Sequence, residues 1–145
     1  MITRTSAILV SILLLSQSAI AAPPASPVGR WLTESGNLEV EIAPCGKAIC
    51  GTVVKVLANR SMSGSGEMAA ADNRNPLGMT ILKDFMPTSG DNWQGEIYNR
   101  ENAKTYACKI SLDASDQLVV RAYVGLPMFG KTQVWRRVAA NASNK

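Results

Sequence analysis

Short runs of alternating apolar and polar residues recur along most of this chain, and they constrain its fold more than any other feature. The clearest is Leu38–Ala43, where Leu38, Val40 and Ile42 alternate with Glu39 and Glu41. A side-chain period of two belongs to a strand with one buried face. Comparable runs predict strands at about 28–34, 38–43, 49–57, 79–83, 92–98, 105–112, 117–124 and 131–138. Turn-forming clusters such as Ser35-Gly36-Asn37, Asn99-Arg100-Glu101-Asn102 and Asp113-Ala114-Ser115-Asp116 separate them. No heptad, long amphipathic helix or internal repeat competes. Eight strands joined in order by short connections predict an all-β, eight-stranded antiparallel up-and-down barrel. Eight strands close around side chains or one small ligand, and closure removes exposed edges. A sandwich of two sheets is the competing architecture, which periodicity does not separate from a barrel.

The exception to short connections is residues 58–76, which include Ser61-Met62-Ser63-Gly64-Ser65-Gly66. That hexapeptide is flexible by composition. Glu67–Ala71 is read as one possible helical turn. Connections of this length inside a small domain are usually functional or disordered.

The N-terminus predicts export. Arg4 precedes the apolar run Ala7–Leu15, and Ala19-Ile20-Ala21 has the small-x-small pattern of a signal-peptidase site. Residues 1–21 are therefore read as a signal peptide and 22–27 as a Pro/Ser-rich tether. Residues 28–138 form the barrel domain, and 139–145 a polar tail. A retained anchor is the alternative, but the apolar core is short for a membrane span. The expected location is the periplasm or the exterior, with no transmembrane segment after cleavage.

Composition then removes whole classes of chemistry. The chain has no His, which excludes a Ser-His-Asp triad, a Cys-His dyad and a His-ligated zinc site. Its net charge of +4 is spread along the chain, with Arg136-Arg137 the only adjacent basic pair, so no nucleic-acid stripe is present. Cys45 and Cys50 flank Gly46-Lys47-Ala48-Ile49, a plausible hairpin loop, and a disulfide between them would close a small ring. Cys108 is left either as a buried thiol or as a partner of one of the other two, and sequence alone allows three pairings. No cofactor or metal is expected.

Gly29-Arg30-Trp31 opens the first run and Trp135-Arg136-Arg137 lies in the last. The pair resembles the lipocalin-like, or calycin, architecture. That resemblance implies that an Arg near the last strand packs over the first-strand Trp and closes the barrel base, here Gly29, Trp31 and Arg137. A more specific resemblance spans nearly the whole exported chain. Gly29-x-Trp31, Cys50-Gly51, Asp72…Asn75-Pro76, Gly78, Trp93-x-Gly95-x-Ile97-Tyr98, Lys104-Thr105-Tyr106, Val124-Gly125 and Gly130-Lys131-Thr132-x-x-Trp135-x-Arg137 occur in that order. They resemble the domain-of-unknown-function 2147 family of small exported bacterial proteins. The implied protein is a periplasmic lipocalin-like barrel with no established activity. Two departures stand out: a shorter segment after Asn75-Pro76, and Asn102-Ala103-Lys104 where Asp-Gly-Lys is typical.

Trp31, Trp93, Tyr106 and Leu118 are the candidate ligand-binding residues, with Trp135 a further aromatic. The alternative is that aromatics simply fill a small core. Asp72-Asn73-Arg74-Asn75-Pro76 is the richest polar cluster. Asp72, Asn73 and Asn75 could offer hard oxygen ligands, but the spacing fits an Asx-turn fixed by Pro76 better. Glu67, Asp72 and Asp84 are conceivable acid–base groups, with nothing to place two of them at a defined separation, so no catalytic residue is assigned. Glu39 and Glu41 are expected on the solvated outer face. The apolar Pro127-Met128-Phe129-Gly130 either caps the barrel end or contacts another envelope protein. The expected function is therefore binding of a small apolar or amphipathic ligand, with an interaction or structural module of the envelope as the alternative.

Overall fold

Antiparallel strands joined in chain order build the molecule. The structure, a computed structural model, describes residues 18–19, 25–126 and 130–139. Most of the expected signal peptide, the start of the tether, Pro127–Phe129 and residues 140–145 lie outside the described residues. The strands are β1 (Gly29–Leu32), β2 (Leu38–Cys45), β3 (Ala48–Val56), β4 (Thr80–Pro87), β5 (Asn92–Asn99), β6 (Lys104–Ala114), β7 (Gln117–Tyr123) and β8 (Gly130–Arg137). Each pairs antiparallel with the next, and β8 returns to β1, so the sheet is a closed barrel and not a sandwich.

Three strands, β2, β4 and β6, run two or more residues further than the alternation indicates. β2 and β3 continue to a two-residue turn, Gly46-Lys47, with Pro44 opposite Ile49 and Cys45 opposite Ala48. Pro44 does not stop the strand because β1 ends opposite Ile42, so its missing N–H deprives no neighbour. The Cys45–Cys50 disulfide crosses this hairpin, with 5.8 Å between the Cα atoms. Such a bond belongs to an oxidising, non-cytoplasmic compartment. β4 runs to Pro87 through a register shift between Lys83 and Met86, where Asp84 takes a positive φ of 55°. That irregularity turns Phe85 inward against Gly95, where a Cβ would lie 2.5 Å from the Lys83 carbonyl oxygen and 2.8 Å from the Phe85 ring. Gly95 is thus required by close packing. The expected helical turn at Glu67–Ala71 does not form. Glu67 instead bridges to Arg60, and Met68 donates its N–H to the Asn59 carbonyl.

The even-numbered connections of an up-and-down barrel lie at one end and the odd-numbered ones at the other. The end holding the N-terminal approach, the disulfide hairpin and the β6–β7 turn is solidly filled. Trp31, Ile42, Phe85, Leu82, Ile110, Leu118 and Val120 are all buried there and along the barrel's middle. Cys108 joins this core as a free thiol. Desolvation pushes its pKa up to about 12, so it stays protonated at neutral pH. Glu39 is buried rather than solvated, flanked by Arg30 at 3.7 Å and Lys55 at 3.9 Å.

The β1–β8 seam is the weakest join, with two residue pairs, Trp31 opposite Arg137 and Leu32 opposite Arg136. Side chains reinforce it. The Arg137 guanidinium lies over the Trp31 ring, 4.2 Å from its centroid. Its Nε donates to the Ser115 carbonyl at 2.7 Å, Nη1 to Val28 at 2.9 Å and Nη2 to Ser26 at 2.9 Å. Trp31 Nε1 donates to the Pro27 carbonyl at 2.8 Å. Gly29, at φ +133°, leaves the space the guanidinium occupies, since a Cβ there would sit 2.7 Å from Nη1. The segment expected as a tether is engaged at its end. Pro27 is buried and Ser26 accepts from Arg137, because the open seam requires backbone acceptors from the approaching chain.

Replacing Arg137 with Met should lower unfolding stability by about 2–3 kcal/mol, from lost charge-assisted bonds and ring stacking. Urea unfolding would show it, with exposed Arg136→Met changing the midpoint little. The Cys108 thiol should resist a maleimide at pH 8 until denaturant is added. Rapid labelling of the native protein would contradict the buried, protonated thiol.

Candidate ligand-binding site

Above the packed core the barrel is hollow. A cavity of about 680 Å³ opens at the end that carries the β1–β2, β3–β4, β5–β6 and β7–β8 connections. Its apolar wall comes from inward positions of the strands: Leu38, Ile81, Ile97, Ala122 and Trp135, with Met68 from the β3–β4 loop. Trp135 separates the two halves: it is buried and its indole N–H donates to Gln133 Oε1 at 2.9 Å. The rim is polar, with Thr33, Arg100, Asn102, Lys131 and Gln133. Tyr106 spans both regions, its ring against the core and its hydroxyl accepting from Asn102 Nδ2 at 2.7 Å.

Of the sequence-derived ligand-binding residues, Tyr106 lines this cavity. Trp31 and Leu118 do not, being buried in the packed half. Trp93 packs against the core outside the cavity, where it stands opposite Pro87 and Ile110. The difference is one of height along the strands, which the period of two does not report: it gives the face and not the level. The strand residues Leu38, Ile81, Ile97 and Ala122 escape sequence reasoning for this reason, and Met68, Thr33, Arg100 and Asn102 because they reach the cavity from loops, where no period applies.

The residue 57–79 connection is tied down by side chains at three places, and by backbone N–H groups of Leu57, Ala58, Ala71 and Asp72 that donate to the Asn37, Glu101 and Arg100 carbonyls. The Asn37 side chain pairs with the Arg60 backbone, donating from Nδ2 to its carbonyl at 2.8 Å and accepting its N–H at 2.9 Å. Glu101 accepts from the Ser61 hydroxyl, from the Met62 N–H at 3.0 Å and from the Ser63 hydroxyl at 3.1 Å. These bonds, the Ser61 hydroxyl first, hold the Glu101 carboxyl below the usual carboxylate range. Lys131 Nζ adds a bond to the Met62 carbonyl at 3.4 Å. The segment so reaches from the β1–β2 turn to the β5–β6 turn and β8, alongside the cavity. The composition of Ser61–Gly66 conceals this, because the anchors lie far away in sequence.

The third tie is the Asp72 cluster, whose geometry is that of two Asx-turns. Asp72 Oδ1 accepts the Arg74 N–H at 3.1 Å, and Asn75 Oδ1 accepts the Leu77 N–H at 3.0 Å. Pro76 is buried beneath the second. The Asp72 carboxylate also accepts from the Arg74 guanidinium and from the Tyr98 hydroxyl, the latter at 2.6 Å. The Arg74 bond, then the Tyr98 bond, hold the Asp72 carboxyl well below the usual range, and the Tyr98 hydroxyl is pushed up. Its oxygens are thus engaged by donors. Among the described residues no group of three or more acidic or Cys side chains is arranged to hold a metal ion.

Glu101→Gln should increase nicking of residues 61–66 by subtilisin at pH 7.5 several-fold. The Met62 amide shift should titrate below the ordinary glutamate range. A depressed folded-state pKa means the anchoring is present above the ordinary value and is lost as pH falls through the depressed one. An amide shift that does not move with acid would refute the contact.

Comparison with known proteins agrees with this architecture. A solved structure of HP1028 from Helicobacter pylori, described as belonging to the lipocalin family, superposes with a TM-score of 0.61 at 18% identity. The match covers 81% of this chain and 86% of that one. The shared feature is the fold, which is lipocalin-like. No curated protein matches the chain in sequence. Residues 29–137, from the seam glycine to the seam arginine, match the family described as "Uncharacterized protein conserved in bacteria (DUF2147)", and the chain belongs to that family.

Proposed function

We propose that the protein is a non-enzymatic carrier or sensor that takes a small apolar or amphipathic molecule into the open end of its barrel. One observation carries this reading. An apolar-walled cavity of about 680 Å³ with a polar rim remains after the rest of the barrel is filled, a volume typical of small-molecule sites. The lipocalin-like fold is consistent with it. The wall suits a hydrocarbon or ring and the rim suits a polar end. The residue 57–79 segment serves as the cover, and the ties at Asn37, Asp72 and Glu101 set how readily it opens. Export by the residue 1–21 signal would put this binding in the periplasm, where the Cys45–Cys50 disulfide is stable. A second reading, docking to another envelope protein, draws on Val124 and Leu126 of the β7–β8 connection, which are 70% and 57% exposed.

A neutral fluorescent probe tests the first reading. N-Phenyl-1-naphthylamine should brighten on binding the native protein. Ala122→Trp, which fills the cavity from β7, should weaken binding at least about tenfold, the scale of one blocked apolar contact area. Absence of enhancement with folded wild-type protein would remove the reading. Periplasmic cross-linking that recovers one specific partner, together with a silent probe, would favour the second.

A further inference from the structure

Among the described residues, Arg100 is the side chain that carries a buried polar atom with no hydrogen-bond partner. It extends from the β5–β6 turn, is half-buried, and contributes to the cavity wall. Its Nε is buried and has no hydrogen-bond partner. Nη1 reaches only the Met68 thioether at 3.9 Å, and Nη2 only the Asp72 carbonyl at 3.4 Å. A thioether is a weak acceptor, and 3.4 Å is long for an N–H to a carbonyl. Guanidinium groups withdrawn from water are normally met by acids, bidentately where possible. Here the nearby acids are taken. Asp72 is matched by Arg74 and Tyr98. Glu101 is saturated by Ser61, Met62 and Ser63 and also feels Lys131. Glu34, the remaining acid of the rim, is exposed to water.

We propose that Arg100 receives an acidic headgroup, so that the molecule bound in the cavity is a carboxylate-ended amphiphile; this rests on the ligand-binding reading above. The headgroup would meet Nη1, which now faces only the Met68 thioether, while Nε stays buried beside it. The Met68 side chain holds the place of an oxygen acceptor against Nη1, and an unbranched thioether shifts readily when a better acceptor arrives. The tail then lies towards Ile81, Ile97 and Trp135, and the head stays at the mouth. A doubly charged phosphate fits less well, since one uncompensated guanidinium stands beside Asp72 and Glu101.

The test compares two probes of equal chain length, decanoate and 1-decanol, by calorimetric titration at pH 7.5. The wild-type protein should bind decanoate about tenfold more tightly, the scale of a charge-assisted pair withdrawn from water. Arg100→Met should remove that advantage, leaving the two probes within about twofold of each other. Arg100→Gln is the second variant, with circular dichroism to establish that each is folded. Equal wild-type affinities would overturn the headgroup assignment and leave the cavity reading standing. An advantage that persists in a folded Arg100 variant overturns it as well. Failure of both probes to bind removes the cavity reading and this inference together.

Discussion

The stacking of Arg137 on Trp31 is the interaction on which the rest of the barrel depends. A barrel has no edges only if its last strand meets its first, and here that meeting is two residue pairs long. Backbone pairing so short cannot hold a seam by itself. Arg137 extends it by donating to three carbonyls that no strand satisfies, at Ser26, Val28 and Ser115. Trp31 extends it on the other side, through the Pro27 carbonyl and by filling the base. The charge of Arg137 faces an aromatic surface and backbone dipoles and, among the described residues, makes no ion pair, so the contact is directional without requiring a second ion. Gly29 is the small residue that this arrangement demands.

Closing one end this firmly frees the other. The packed half buries the largest apolar side chains, and burial of this kind is the main source of stability in a small β domain. The open half therefore does not need to be full. Its strands are held in place from below, and the long β3–β4 connection is held by Asn37 of the β1–β2 turn, by Glu101 of the β5–β6 turn and by Tyr98 of β5, which donates to the connection's own Asp72. Those ties differ in character. Asn37 replaces a strand neighbour by bonding both polar groups of Arg60. Asp72 joins an ion pair to a phenol. Glu101 gathers hydroxyls and an amide at the tip, and its hold depends on charge and so on pH.

Much of the barrel was legible in the alternation, because a strand with one face in the core must show it. All eight strands are where the runs place them, and the connections between them are short except one. What was not legible has physical causes. β4 carries its inward Phe85 through a positive φ at Asp84, a device that breaks the period locally and reads as a turn. Pro44 reads as a breaker unless one knows that β1 has already ended beside it. Pro27 reads as linker until Trp31 is seen to use its carbonyl. The cavity was the least legible part: Trp93 and Tyr106 share a face pattern, yet one packs against the filled half and the other lines the hollow. Height within a barrel is a property of register and shear, which composition does not carry.

The polar groups of the open end show what distinguishes a built structure from a built site. Asn37, Asp72 and Glu101 are each supplied with donors or acceptors by the chain itself, as groups withdrawn from water normally are. Their function is complete without a ligand: they position the loop. Arg100 differs in that the chain surrounds it with a thioether, a distant carbonyl and an Nε without a partner. Leaving a guanidinium underused beside a cavity costs stability, and a structural role alone gives no reason for that cost. The same residue would gain most from a molecule that brings its own acid, whereas the apolar wall would gain most from that molecule's tail. In the binding proposed above, charge at the mouth and hydrocarbon surface below it would select for one kind of occupant, and the division of the barrel into a sealed half and a hollow half gives both groups their positions.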